Sequence, residues 1–272
     1  MEKKNEKTKI ILGLVVIAGI MILSYVIFPG SYEQTSIPSD DLENFKDLEN
    51  THPNPENSQD PRTVSDIIEQ ETDIYIVNVK YAIVEGLENE EKQIDLNEKI
   101  KSFISEPISD FESQAEEAEI FEEMKSGFYI DFEVTYLSKN LISIKFSVSE
   151  YYSGAAHPNN YILVFNYDIA QDKEIVLKDL FLSENDYLVM LSDLTKSALL
   201  DRFEEDLEIM QDWIETGTEP KEENFQDFGF TEDSLIIYFK PYQVGPYAIG
   251  AQEVEILFED LDGYIDLEQI NF

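Results

Sequence analysis

The stretch FYIDFEVTYLSKNLISIKFSV, residues 128–148, decides the fold. Phe128, Ile130, Phe132, Val134 and Tyr136 alternate with Tyr129, Asp131, Glu133 and Thr135. After Ser138, Lys139 and Asn140, the residues Ile142, Ile144, Phe146 and Val148 alternate with Ser143, Lys145, Ser147 and Ser149. A period of two with one apolar side predicts an antiparallel hairpin whose other face is wet. Upstream, Tyr75, Val77, Val79, Tyr81 and Ile83 keep the same period and predict a first strand. Between the two, Ile100, Phe103, Ile104, Ile108 and Phe111 follow three-and-four spacing, which predicts an amphipathic helix that Pro107 kinks or divides.

Downstream, residues 161–168 read as a third strand that turns at 170–173 into residues 174–177. A long helix follows, capped by Ser183 with Asp186, striped by Leu191, Leu194, Ala198, Phe203, Leu207, Met210 and Ile214, and ending near Gly217 and Pro220. Residues 235–239 and 254–258 alternate as two last strands. Strands without a repeating strand–helix–strand order predict the α+β class, an antiparallel sheet with packed helices.

Ahead of this body lies a different composition. Residues 10–28 (IILGLVVIAGIMILSYVIF) hold no charge, and 19 residues at about 1.5 Å each roughly match a ~30 Å hydrocarbon core. Lys3, Lys4, Lys7 and Lys9 precede the run, whereas Glu33, Asp40, Asp41 and Glu43 follow it. The positive-inside rule therefore predicts one transmembrane helix with residues 1–9 cytoplasmic and the remainder outside the cell membrane. A cleaved signal peptide is the alternative, but no small-residue cleavage site closes the run. Residues 29–71 contain five of the ten prolines among Ser, Asn, Asp and Glu, and read as a disordered acidic stalk.

Charge and composition exclude several functions. The chain of 272 residues carries 58 acidic and 19 basic side chains, and its net charge of −39 repels phosphate backbones, so no nucleic-acid partner is expected. Setting aside the six charged residues of the first nine leaves 15 basic and 56 acidic side chains, a net charge of −41. No cysteine is present, which removes disulfides, thiolate metal sites and cysteine nucleophiles. Two histidines, His52 and His157, do not furnish a His-rich metal site, and no nucleophile elbow of the G-x-S-x-G kind occurs. No cofactor is expected. Carboxylate pairs for glycan hydrolysis arise by chance among 56 acids and carry no specificity.

Two loops concentrate special residues. Residues 151–158 (YYSGAAHP) are aromatic, small and almost uncharged, and residues 240–250 (KPYQVGPYAIG) hold two Pro-Tyr pairs and two glycines. Such residues either shape turns over sheet edges or present Tyr as a rigid contact surface of low entropy cost.

Those motifs, G-A-A-H-P within residues 151–181 and Y-F-K-P-Y-x-x-G-P-Y-A-x-G within residues 228–256, resemble the exported domain pair of the RsiV/PdaC kind. This pair occurs in a lysozyme-sensing anti-sigma factor and in the non-catalytic region of a peptidoglycan deacetylase. The resemblance implies an N-terminal α+β module at residues 72–150 and a C-terminal α+β domain at residues 151–272. Residues 1–9 are too short for a sigma-binding domain and no deacetylase domain follows residue 272, so neither activity is expected to carry over. What it does imply is a non-enzymatic, membrane-anchored extracytoplasmic module of the bacterial cell envelope that binds lysozyme or a similar cationic protein. Ser153, His157, Pro241, Tyr242, Pro246 and Tyr247 would line or shape the contact surface. An acidic surface steers cationic partners toward it, which agrees with this expectation. The alternatives are a module for peptidoglycan or another wall glycan and, last, a carboxylate-dependent glycan hydrolase.

Overall fold

A computed structural model describes residues 60–118, 121, 123–182, 186–267 and 272. The apolar run 10–28, the tail before it, the stalk to residue 59 and Ser183 lie outside the described residues. Among those described, no helix is long and apolar enough to cross a membrane.

The architecture is α+β, in two sheets. The larger has six strands in chain order: β1 (Arg62–Glu71), β2 (Tyr75–Glu85), β3 (Ser126–Leu137), β4 (Leu141–Tyr151), β5 (Asn159–Asp168) and β6 (Lys173–Glu174). The hairpin read at 128–148 is β3–β4, paired antiparallel from Gly127–Tyr151 to Leu137–Ile142. One pairing departs from an antiparallel sheet. β2 runs parallel to β3, with Val77 opposite Phe128, and α1 (Glu90–Glu117) makes the crossover between them. Parallel neighbours cannot be joined by a tight turn, so the helix is the connection the geometry requires.

α1 is a single helix. Asn89 caps its start by accepting from the Lys92 amide at 3.1 Å, and Pro107 sits inside without dividing it. Leu96, Ile100, Ile104, Ile108, Phe111 and Ala115 form its buried stripe and pack on Val77, Val79, Phe128, Ile130, Ile144 and Phe146 of the sheet. Asn97 fixes the helix to β2 by accepting from the Val84 amide at 2.8 Å and donating to its carbonyl at 2.9 Å.

The stalk expected to run to Glu71 gives way earlier. Residues Arg62–Glu71 form β1, paired along their whole length with β2, and Thr72 closes the turn by accepting from the amides of Ile74 and Tyr75. β1 is an outer strand with no fully buried side chain, so its sequence stays polar and resembles that of residues 29–59 in composition. The boundary expected between residues 150 and 151 falls at the end of β4, inside the continuous sheet.

The smaller sheet comprises β7 (Phe228–Phe230), β8 (Ser234–Phe239) and β9 (Gln252–Leu257). With α2 (Tyr187–Arg202) and α3 (Leu207–Gly217) it encloses a second core around Leu191, Leu199, Met210, Ile214, Phe225, Phe230, Leu235, Ile237 and Phe239. The long helix expected between Asp186 and Gly217 is thus two. It breaks at Phe203 into a 3-10 turn at Glu204–Asp206, where consecutive acids and like charges four apart disfavour continued helix. Asp186 stands at the start of α2 without a side-chain capping bond.

The hairpin face expected to be wet is wet at one end only. Near Leu141 it lies under β7: Ser143 is fully buried, its hydroxyl accepting from the Phe230 amide, and Asn166 of β5 donates to the Phe228 carbonyl at 2.6 Å. Lys145 then spans the gap, 2.9 Å from Glu253 and over the Tyr238 ring. Beyond it Ser147 and Tyr129 face solvent.

Buried tyrosines tie stability to alkaline pH. Burial pushes the phenols of Tyr81, Tyr161 and Tyr167 up from 10.0 to about 12, with carboxylates beside them adding to the shift. In the folded state the neutral phenol is favoured, so above pH ~10 the unfolded chain ionises first and gains. The stabilisation is complete below pH 10 and is lost between about 10 and 12. Melting followed by circular dichroism should show a Tm that falls steeply from pH 9.5 to pH 11.5, and a flat profile there would contradict this burial.

Candidate binding surface

The two special loops meet. His157, in the loop between β4 and β5, stacks on Tyr247, in the loop between β8 and β9, with ring centres 4.2 Å apart and planes at 27°. Tyr247 in turn lies 5.5 Å from Tyr242. The Tyr247 hydroxyl donates to the Pro158 carbonyl and accepts from the Asn160 side-chain amide at 3.5 Å. His157 Nδ1 is 2.9 Å from the same carbonyl, which can only accept, so Nδ1 carries the proton in this bond. His157 and Tyr242 are exposed, the latter by 54%.

The loop beneath these rings is anchored. Gln243 N donates to the Lys240 carbonyl at 3.0 Å, with Pro241 and Tyr242 as the central residues of the turn. Tyr242 has φ +69°, as the third residue of a type II turn must, a place usually filled by glycine. A non-glycine residue there costs about 1–2 kcal/mol, and such strain persists where surrounding structure enforces it. The enforcement is visible: Gln243 Nε2 donates to the carbonyls of Gly217 and Asn224 at 3.1 and 3.0 Å, Gln243 Oε1 accepts from the Lys240 amide, and Val244 is buried. Pro246 then leads into one 3-10 turn, Tyr247–Ile249, closed by Gly250 at φ +68°.

Of the six residues expected to line or shape the surface, the structure brings His157, Tyr242 and Tyr247 together and makes Pro241 and Pro246 the turn-formers that aim the tyrosines. Ser153 is turned elsewhere. The loop reverses at Gly154 (φ +82°), and the Ser153 hydroxyl accepts from the Phe121 amide at 2.7 Å while its own amide donates to Ser126. Three further residues matter that sequence reading did not assign: Asn160, Gln243 and Gly217. Gly217 reads as a helix end, yet a Cβ there would stand 2.1 Å from the Gln243 carbonyl oxygen. Among the described residues no group of three or more His, Asp or Glu could hold a metal ion.

Residues 68–160 match the family model described as Deacetylase PdaC, and residues 178–259 match that described as a protein of unknown function, DUF3298. The peptidoglycan-N-acetylmuramic acid deacetylase PdaC of Bacillus subtilis is 28% identical over 182 residues, 64% of this chain and 38% of that protein. The anti-sigma-V factor RsiV of the same organism is 26% identical over 192 residues, 70% of this chain and 65% of that protein. An esterase of Mycobacterium tuberculosis is 28% identical over 103 residues, 38% of this chain and 43% of its own. The matched stretch thus spans less than two thirds of each of these relatives. A crystal structure of a DUF3298 family member from Bacteroides fragilis shares the fold, with TM-score 0.55 and 17% identity over 75% of this chain and 94% of that one. A second, from Pseudomonas aeruginosa, superposes equally, with TM-score 0.55, 16% identity and coverage of 77% and 95%. His157 lies within the first matched region and Tyr242 and Tyr247 within the second, so the ring stack joins the two. The chain thus matches, in order, a PdaC-type and a DUF3298 family model and has PdaC and RsiV as homologues, consistent with a shared RsiV/PdaC-like domain family.

Proposed function

We propose that this chain is a membrane-anchored, extracytoplasmic binding module of the bacterial cell envelope, non-enzymatic, which recognises lysozyme or a similar cationic protein through the rings of His157, Tyr247 and Tyr242. The observation that carries the reading is the stack itself. Two tyrosines and a histidine from loops 90 residues apart are held at the surface on a turn anchored by Gln243 and Val244. Rigid aromatic side chains of this kind supply contact area without a large ordering cost. The surrounding charge, −41 beyond the first nine residues, steers a cationic partner and speeds encounter in a salt-dependent way. Similarity to RsiV supports the choice of partner, and the apolar run 10–28 supports the anchor.

Calorimetry of the full chain with lysozyme tests this. One-to-one binding is expected at low salt, weakening by at least tenfold between 50 and 500 mM salt as screening shortens the reach of the charges. Tyr242→Ala and Tyr247→Ala should each weaken it a further ~30-fold, the effect of about 2 kcal/mol at an anchor residue. No heat at low salt, or equal affinity in both variants, would sink the reading.

A further inference from the structure

The open end of the large sheet carries a second surface. Asn78 of β2 lies opposite Tyr129 of β3, Tyr129 opposite Ser149 of β4, and Ser149 opposite Asn160 of β5. These four side chains form one row across the strands on the face away from α1, at about 4.8 Å per step and so about 14 Å from end to end. The row does not stop there, because the Asn160 side-chain amide reaches the Tyr247 hydroxyl. Two hollows follow the same line and share Ser147 and Ser149: one of about 290 Å³ around Asn78, Lys80, Tyr129 and Asp131, the other of about 530 Å³ extending to Lys145, Asn160, Arg202 and Gln252.

Tyr129 is the centre of the row. A Cβ built on Gly127 would stand 2.8 Å from its ring, so the ring lies down over the strand in space that glycine leaves open. It remains 45% exposed and presents a flat aromatic surface flanked by amide and hydroxyl groups. Charge on this face is largely paired, unlike that of the chain as a whole: Lys80 is 3.9 Å from Asp131, Lys145 is 2.9 Å from Glu253 and 3.8 Å from Glu133, and the Asn78 amide donates to Glu69 of β1 at 3.3 Å. At the row, Tyr129 of β3 and Ser149 of β4 each lie between two paired strands, so the centre of the face offers no backbone edge on which a peptide strand could add; β5 is covered by β6 only at Tyr167 and Asp168.

We infer that this row, Asn78–Tyr129–Ser149–Asn160, is a binding groove for an extended, uncharged oligosaccharide. A pyranose ring has a C–H face that stacks on an aromatic plane and a rim of hydroxyls that both donate and accept. Amide and hydroxyl side chains recurring at strand spacing beside a flat tyrosine supply both complements, and a face whose lysines are each paired with carboxylates suits an uncharged chain. The groove stands apart from the His157–Tyr242 contact surface and meets it only at Tyr247.

The test is titration of the full chain with the tetrasaccharides of N-acetylglucosamine and of glucose at 50 and 500 mM salt. Saturable binding of at least one, unchanged between the two salt concentrations, is expected. Tyr129→Ala should weaken it tenfold or more, Tyr129→Phe less than twofold because the ring remains, and Ser149→Ala and Asn160→Ala severalfold each. Tyr129→Ala should leave the lysozyme titration and the far-ultraviolet spectrum as they were, so failure here and failure of the cationic-protein reading are separate results. Saturation by neither sugar, undiminished binding in Tyr129→Ala, or binding seen only at low salt would overturn the assignment.

Discussion

Replacing Gly217 by alanine should lower stability by about 3 kcal/mol, although alanine is the better helix former by about 1 kcal/mol. The new methyl group would stand 2.1 Å from the Gln243 carbonyl oxygen and 2.8 Å from its carbon, both backbone atoms, with a Val244 methyl also at 2.8 Å. A flexible side chain could swing away; a peptide group tied down by Gln243 cannot do so without breaking its bonds to Gly217 and Asn224. The clash therefore outweighs the propensity gain. For a body of some two hundred residues this predicts a Tm lower by about 10 °C, with little change in the denaturant slope. The same substitution should weaken lysozyme binding, since the displaced segment carries Tyr242 and Tyr247. A Tm equal to or above that of the parent would show that the turn yields freely and that Tyr242 is not held in its left-handed conformation by the helix end.

Phe111→Ala should be the most damaging change in the first core, at about 4 kcal/mol. Phe111 is 1% exposed and touches three aromatic rings: stacked on Phe128 at 5.1 Å, edge-on to Tyr75 at 5.8 Å and tilted against Tyr152 at 5.4 Å. Truncation removes the transfer free energy of the ring and leaves a hole that two strands and a helix cannot close together. Phe111→Leu, which keeps most of the volume, should lose about half as much. Urea titration monitored by tyrosine fluorescence measures both. Equal and small losses would mean that α1 packs loosely on the sheet at this turn.

Much of this molecule is legible in its sequence, and the illegible parts share a cause. The β3–β4 hairpin announces itself because each strand buries one side, so Phe128, Ile130, Phe146 and Val148 must alternate with polar residues. β1 does not, since Val64 and Ile67 stay 40% and 48% exposed and an outer strand needs no apolar side. Alternation also says nothing about which strand lies beside which, so the parallel β2–β3 pair cannot be read from it. The apolar stripe running from Leu191 through Phe203 to Ile214 looks like one helix because both α2 and α3 bury their stripes in the same core. At the candidate surface, residue types in the two loops single out His157, Tyr242 and Tyr247, but their meeting is a product of the fold. Ser153 has the right company in sequence and the wrong direction in space, because Gly154 turns the chain between it and His157.

The parallel pairing of β2 with β3 also sets an order of assembly. The meander β3–β4 closes across residues 138–140, whereas Val77 finds Phe128 only after the 50 residues between them have been brought round. Loop-closure entropy makes the first step cheap and the second dependent on α1 having formed and docked. This topology predicts a folding nucleus in β3, β4 and the helix face around Phe111, with β1 joining last, onto an edge that does not exist until β2 is in place. On the way down the order should reverse: β1, an outer strand, is expected to detach first, so its amides should exchange with solvent faster than those of the β3–β4 meander in a hydrogen-exchange measurement.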